Sequence, residues 1–245
     1  MYNINMKNIV EVRKFKMTFG GKPVIEDLNF EVKKGEIFGL LGANGSGKTT
    51  TIRALLGLYT PTAGELTIDG KKYSPEDSKI RVGYLPEERG LYRKENVIDT
   101  MVYFGELKGV KDPYEWSMKY LKRVGLEDKA KTRVEKLSGG QQQKIQLGIT
   151  IMDEPKLLIL DEPTKGFDPM NRKLLMEIIE EHHKKGAAII MITHYMDEVE
   201  KLCDRALLLK DGVARAYGTI DEIRKEFGGK SLDEIFVNIY GENNE

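Results

Sequence analysis

The chain has 245 residues, is 40% hydrophobic and 32% charged, and carries 39 Lys+Arg against 39 Asp+Glu. That length fills one large or two modest domains, and the composition is that of a soluble globular protein, which excludes disordered and fibrous classes. A formal net charge of zero gives no global attraction to nucleic acid, so no nucleic-acid partner is expected.

The single cysteine, Cys203, excludes an intrachain disulfide and points to a reducing compartment. On its apolar helical face it reads as buried filler. The N-terminal MYNINMKNIVEV has no apolar h-region, so no signal peptide is expected. Apolar runs such as AAIIMI are far too short to cross a bilayer.

The predicted elements begin with short strands. IVEVRKFKMTF mixes alternation with turns, whereas VIEDLNFEV alternates clearly before the turn KKGE. IFGLL is a continuous apolar run, as expected of a strand buried on both faces. TTTIRALLGLY has helical spacing, and GELTIDGKKY and IRVGYL read as strands. From about Val97 to Gln146 the character changes, because NVIDTMVYFGELKGV and YEWSMKYLKRVGL are both helical in period. This block, about residues 93–150, reads as a helical insertion. The α/β pattern then resumes with the strand KLLILDEP, the helix PMNRKLLMEIIEEHHKKG and the strand AAIIMITH. Pro169 near that helix's start and Gly186 after its end have the expected asymmetry. YMDEVEKLCD reads as a helix, RALLLKDGVARAYG as a hairpin turning at Asp211-Gly212, and TIDEIRKEFGGKSLDEIFVNIYG as a tail. Buried strands alternating with helices predict an α/β fold with a doubly wound, mostly parallel sheet, whose ligands bind at strand C-termini.

The chemistry-bearing motifs fall at those strand ends. GANGSGKTT matches G-x-x-x-x-G-K-[ST] between a predicted strand and a predicted helix. Its glycines let backbone N–H groups converge on a phosphate, Lys48 reaches the β- and γ-phosphates, and the Thr49 hydroxyl is a Mg2+ ligand. LLILDEP ends in two carboxylates. Asp161 is placed to hold Mg2+ through a water, and Glu162 to act as general base on an attacking water. His194, at the end of AAIIMITH, is placed to hydrogen-bond the γ-phosphate and that water. His182 and His183 lie on a charged helix face and read as solvated.

A second glycine-rich helix start, LSGGQ at the head of LSGGQQQKIQLG, presents N–H groups and the Ser138 hydroxyl but no lysine of its own, so it is expected to bind ATP poorly alone. Ile145, Gly148, Ile149 and Met152 form a packing stripe behind it.

With these motifs the chain resembles the nucleotide-binding subunits of ABC transporters along nearly its whole length. GANGSGKT resembles the Walker A motif, LLILDE the Walker B, LSGGQ the family signature and TH the switch histidine. The resemblance implies a P-loop NTPase core with a mostly parallel sheet, an N-terminal antiparallel β subdomain and a helical signature subdomain. It implies an ABC ATPase domain over 1–220 and a C-terminal tail over 221–245. It also implies that Gly42, Ala43, Asn44, Gly45, Ser46, Gly47, Lys48, Thr49 and Thr50 hold ATP. In this family two cassettes pair head to tail, as homodimer or heterodimer, so Ser138, Gly139, Gly140 and Gln141 would cap the nucleotide of a second ABC subunit. Phe19 matches the aromatic that stacks on adenine, with core packing an equal alternative. Asp168 in PTKGFDP matches the D-loop aspartate that contacts the opposite subunit. Lys165 and Phe167 depart from the small residue and leucine usual in that loop. Glu87 in VGYLPEERGLY replaces the usual glutamine and is expected near Mg2+ and the attacking water. With Glu88 and Arg89 it would link the nucleotide to the helical block.

The function implied is an ATPase driving transport through separate transmembrane permease subunits, peripheral on the cytoplasmic face of the membrane. The permease would dock near Tyr92 to Gly125. SLDEIFVNIYG resembles the end of exporter-type, ABC-2-like cassettes, so export is expected. A soluble ABC ATPase acting on ribosomes or DNA fits less well, since there is one cassette, no net charge and no sustained heptad pattern. A cassette that binds without turnover is opposed by intact Lys48, Asp161, Glu162 and His194.

Overall fold

The computed structural model describes residues 7–74, 80–88 and 90–241, so Arg89 lies outside the described residues. The chain divides into two compact units, Met1–Ile80 with Gly186–Glu245, and Arg81–Lys185.

In the first unit, β1 (Asn8–Phe19) pairs antiparallel with both β2 (Lys22–Lys33) and β4 (Ala63–Ile68), in the order β2-β1-β4. The mixed alternation of β1 has a local cause. Its register shifts between Val12 and Phe15, and Lys14 sits at φ 48° with its N–H donated to Asn29 Oδ1 at 2.7 Å. The bulge moves the buried phase by one residue, so Val10, Val12, Phe15 and Met17 all face the core.

A second set of strands is centred on β3 (Ile37–Leu41), which runs parallel to β7 (Ala188–Ile192) and β8 (Arg205–Lys210). All of β3 and β7 is buried, as their continuous apolar runs require. β9 (Val213–Thr219) returns antiparallel to β8 through Asp211-Gly212, both at positive φ, which is the predicted hairpin turn. Helix α1 (Lys48–Leu55) follows β3, and α6 (Met196–Leu202) follows β7. Cys203 is buried as expected but lies just beyond α6 rather than within it, and burial pushes its thiol pKa up.

The tail is folded into this unit. α7 (Ile220–Glu226) and α8 (Leu232–Tyr240) each begin with a capping box, Thr219 with Glu222 and Ser231 with Glu234. α8 buries Leu232, Ile235 and Ile239, and is pinned by Lys210 Nζ donating to Ile239 O at 2.7 Å and the Tyr240 hydroxyl donating to Leu209 O at 2.9 Å.

In the second unit, β5 (Val82–Leu85) runs parallel to β6 (Leu157–Asp161), with helices α2 (Val97–Leu107), α3 (Pro113–Arg123), α4 (Gly139–Ile151) and α5 (Pro169–Lys184). The stripe Ile145, Gly148, Ile149 and Met152 is buried, and so is every other residue from Gln143 to Ile151. Most of its buried polar side chains find backbone partners, Gln146 Oε1 being an exception. Lys144 Nζ donates to Val124 O at 3.1 Å, and Thr150 Oγ1 to Gln146 O at 2.8 Å. Gly148 permits close approach of the buried Tyr120, whose hydroxyl donates to Lys144 O at 2.7 Å; a Cβ at Gly148 would lie 2.4 Å from the ring. His182 and His183 also differ from expectation. Both are half-buried, and burial lowers the His182 pKa from its ordinary value. The architecture is the α/β class expected, with an antiparallel β subdomain, mostly parallel strands and a helical block.

Candidate nucleotide site

The residues 42–50 connect β3 to α1 in the first unit. The loop is tight enough to exclude side chains at two points. A Cβ on Gly42 would lie 2.5 Å from Leu209 O, and one on Gly47, at φ 107°, would lie 2.4 Å from Ile25 Cδ1. Gly47 is also the N-cap of α1. That helix has no side-chain cap and no acid in its first turn. The amides of Thr49 and Thr50 have no acceptor among the described residues. Such an end is suited to an anion. Lys48 Nζ folds over the loop, donating to Gly42 O at 2.7 Å and Ala43 O at 2.9 Å. Ala43, Asn44, Gly45 and Thr49 are exposed, Thr50 is half-buried and Ser46 is buried.

Phe19, at the end of β1, is 45% exposed and therefore is not a core residue. Its ring meets Tyr59 edge-on at 5.4 Å, and Arg53 Nη1 donates to the Tyr59 hydroxyl at 3.1 Å. This exposed ring on a braced partner presents a face to a planar group. His194 lies two residues past β7, exposed, with its ring 4.2 Å from that of Tyr195.

The second unit brings the acidic residues together. Asp161 ends β6 and is buried, while Glu162 is half-buried at φ 51°, a conformation uncommon outside glycine. The Glu162 carbonyl accepts from Gln143 Nε2 at 3.2 Å and from the Lys165 N–H at 3.2 Å. Glu87 follows β5, half exposed, and accepts from Lys165 Nζ at 2.7 Å. Glu87, Glu88, Gln143, Glu162, Lys165 and Gly166 line a cavity of about 550 Å³. Nothing in the sequence marked Gln143, because its role depends on which loop α4 passes.

Ser138 is the N-cap of α4. Its Oγ accepts from the Gln141 N–H at 3.3 Å, while Gln141 Oε1 accepts from the Ser138 N–H at 2.9 Å. The amides of Gly139 and Gly140 have no acceptor among the described residues. Gly140 packs under Phe167, whose ring would lie 3.1 Å from a Cβ there.

Asp168 caps α5. Its Oδ1 accepts from the Met170 and Asn171 N–H groups, both at 3.0 Å, and its Oδ2 accepts from the Asn171 side-chain amide. The Asn171 amides, with that of Met170, hold its carboxyl below the usual carboxylate range. This cap was legible as Asp followed by Pro at a helix start.

Comparison with known proteins agrees with this geometry. The family described as ABC transporter matches residues 25–165. An uncharacterized ABC transporter ATP-binding protein of Methanocaldococcus jannaschii is 43% identical over 220 residues, covering 89% of this chain and 80% of that protein. The linearmycin resistance ATP-binding protein LnrL of Bacillus subtilis is 34% identical over 233 residues, covering 94% of this chain and 75% of its own. Nod factor export ATP-binding protein I of Bradyrhizobium diazoefficiens is 35% identical over 238 residues, covering 95% of this chain and 78% of its own. A solved ATP-binding subunit of an ABC transporter matches with a TM-score of 0.86 at 33% identity, covering 94% of this chain and 98% of that one. With a glycine-rich loop leading into an uncapped helix, paired strand-end carboxylates and a second helix capped by Ser138 before two glycines, the chain belongs to the ATP-binding subunits of ABC transporters, P-loop ATPases of α/β fold.

Proposed function

We propose that the chain is the motor of an exporter, hydrolysing ATP in a pair of cassettes laid head to tail and attached to separate permease subunits on the cytoplasmic face of a membrane. The observation carrying this reading is the state of the signature helix. Ser138 and Gln141 satisfy each other, the Gly139 and Gly140 amides are open, and no lysine lies within Leu137–Gln141. Such an end completes a site whose phosphate charge is matched elsewhere, which a second cassette provides.

In this reading Phe19 stacks on adenine, residues 42–50 hold the phosphates, and Lys48 neutralises the β- and γ-oxygens. Thr49, Asp161 and Glu87 offer hydroxyl and carboxylate oxygens, the hard donors that suit Mg2+. Among the described residues no three acidic, histidine or cysteine side chains form a metal cage. A shared site using phosphate and water oxygens therefore fits better than an all-protein one. The metal, when bound, neutralises charge developing on the phosphates. Glu162 takes a proton from the attacking water, His194 bonds the γ-phosphate, and Asp168 fixes the loop that meets the second cassette.

Export is supported by the tail and by two relatives, one named for resistance and one for export. No described helix is long and apolar enough to cross a membrane, in keeping with a separate permease. On the helical block Tyr92 and Tyr103 are about half exposed and, with Phe104, form a cluster of rings 5.5–5.8 Å apart that offers a docking surface.

Glu162→Gln tests the shared site. It removes the base while keeping shape, so phosphate release should fall by about 10²–10⁴-fold. ATP-dependent dimers should accumulate, read by light scattering during size-exclusion chromatography. A variant that binds ATP and Mg2+ yet stays monomeric at saturation would contradict the paired arrangement.

A further inference from the structure

Two positions that the sequence resemblance marked as departures from the motif pattern touch each other. Glu87 stands in place of glutamine and Lys165 in place of a small residue, and Lys165 Nζ lies 2.7 Å from Glu87 Oε1 across 78 residues of sequence. Their side chains are 50% and 54% exposed. At such exposure an ion pair contributes little to folding, so its consequence lies in where it places charge.

That placement is specific. Glu87, Glu88 and Glu162 line one cavity, and Lys165 is the cation among its described lining residues. Lys165 is also mechanically joined to the candidate base, because its N–H donates to the Glu162 carbonyl in the turn that follows β6. Gln143 holds the same carbonyl from α4. Glu87, Lys165, Glu162 and the signature helix are thus linked through one turn whose first residue is in a strained conformation.

We propose that Lys165 is a positioning residue that makes a carboxylate at 87 compatible with a polyphosphate. It neutralises Glu87 before the metal is present and ties the loop after β5 to the Glu162 turn. The neutral glutamine usual at 87 needs no such partner, and a small residue at 165 then suffices. The proposal rests on the reading that Glu87 faces the nucleotide, and it adds a residue and a charge mechanism to it.

The test uses the full-length chain with Lys165→Met, Lys165→Arg, Glu87→Gln and the Glu87→Gln/Lys165→Met double variant. ATP affinity is measured without metal and with Mn2+, alongside kcat and KM in Mg2+. Hydrogen exchange is followed at residues 162–167. Lys165→Met should weaken metal-free ATP binding by about fivefold, with Lys165→Arg and the double variant returning to within about twofold of wild type. With Mn2+ the loss should shrink, because the ion takes over neutralisation of Glu87. Exchange at 162–167 should rise in Lys165→Met, while Tm should scarcely move. The proposal is overturned if Lys165→Met leaves metal-free ATP affinity unchanged, or if the two single effects simply multiply in the double variant. The metal role of Glu87 fails separately. If Glu87→Gln leaves Mg2+ dependence unaltered while still rescuing Lys165→Met, the clasp stands and the ligand assignment is wrong.

Discussion

Helices α1 and α4 both start from a glycine-rich turn, yet their exposed amides are treated differently. At α1 the N-cap is Gly47, no side chain caps the helix, and Lys48 lies over the loop. At α4 the Ser138–Gln141 capping box satisfies the end from within, and no lysine within the helix start folds over it as Lys48 does at α1. The first end has both the open amides and the charge needed to grip a polyphosphate. The second has open amides at Gly139 and Gly140 but no lysine in its own loop, and its helix continues into a fully buried segment, Gln143–Ile151. The two helix starts thus offer an anion different chemistry, and α4 also reaches the Glu162 carbonyl through Gln143.

The contrast breaks most sharply at Lys48. Lys48→Met should reduce phosphate release by about 10²–10³-fold, the scale of losing one charged donor to developing phosphate charge. Retention of wild-type turnover would remove the distinction between the two helix ends. Ser138→Ala should act on the other end. Losing the cap should cost about 1 kcal/mol of stability in denaturant unfolding. ATP affinity of the isolated chain should stay within about twofold, since the phosphate charge is carried by α1. The ATP-driven dimer of the Glu162→Gln form should weaken. A large loss of ATP affinity in the isolated Ser138→Ala chain would show that α4 serves its own nucleotide.

The smallest expected effect separates the units by pH. Burial, aided by Lys185, lowers the His182 pKa below its ordinary value of 6.5. The folded chain then favours the neutral ring. The stability this contributes is present above the unfolded-state value and is lost as pH falls through the lowered folded-state value. His182→Phe should flatten the decline of Tm between neutral pH and about pH 5. An unchanged slope would place the acid sensitivity elsewhere.

Much of this was legible before folding. The phosphate loop, the strand ending in Asp161 and Glu162, the Asp211-Gly212 hairpin and the helical block each depend on local spacing, and local spacing survives in sequence. The Asp168 cap is local too, an Asp-Pro pair at a helix start. Other features had no local signal. The bulge at Lys14 breaks the period of β1, which therefore reads as short strands with turns rather than one, and α4 is buried along Gln143–Ile151 although it is rich in glutamine. Phe19 could be assigned to core or surface only by knowing what lies beyond β1.

By itself, the order of residues determined the chemistry available: a lysine among glycines, paired carboxylates after an apolar strand, and a second glycine-rich helix start without a cation. Those follow from backbone geometry over a few residues. Only the tertiary structure decided which distant groups answer one another. Lys165 meets Glu87 across 78 residues, and Gln143 reaches the Glu162 carbonyl from another helix. Charge pairing and burial depend on through-space distance, which the linear sequence does not encode until the chain has folded back on itself.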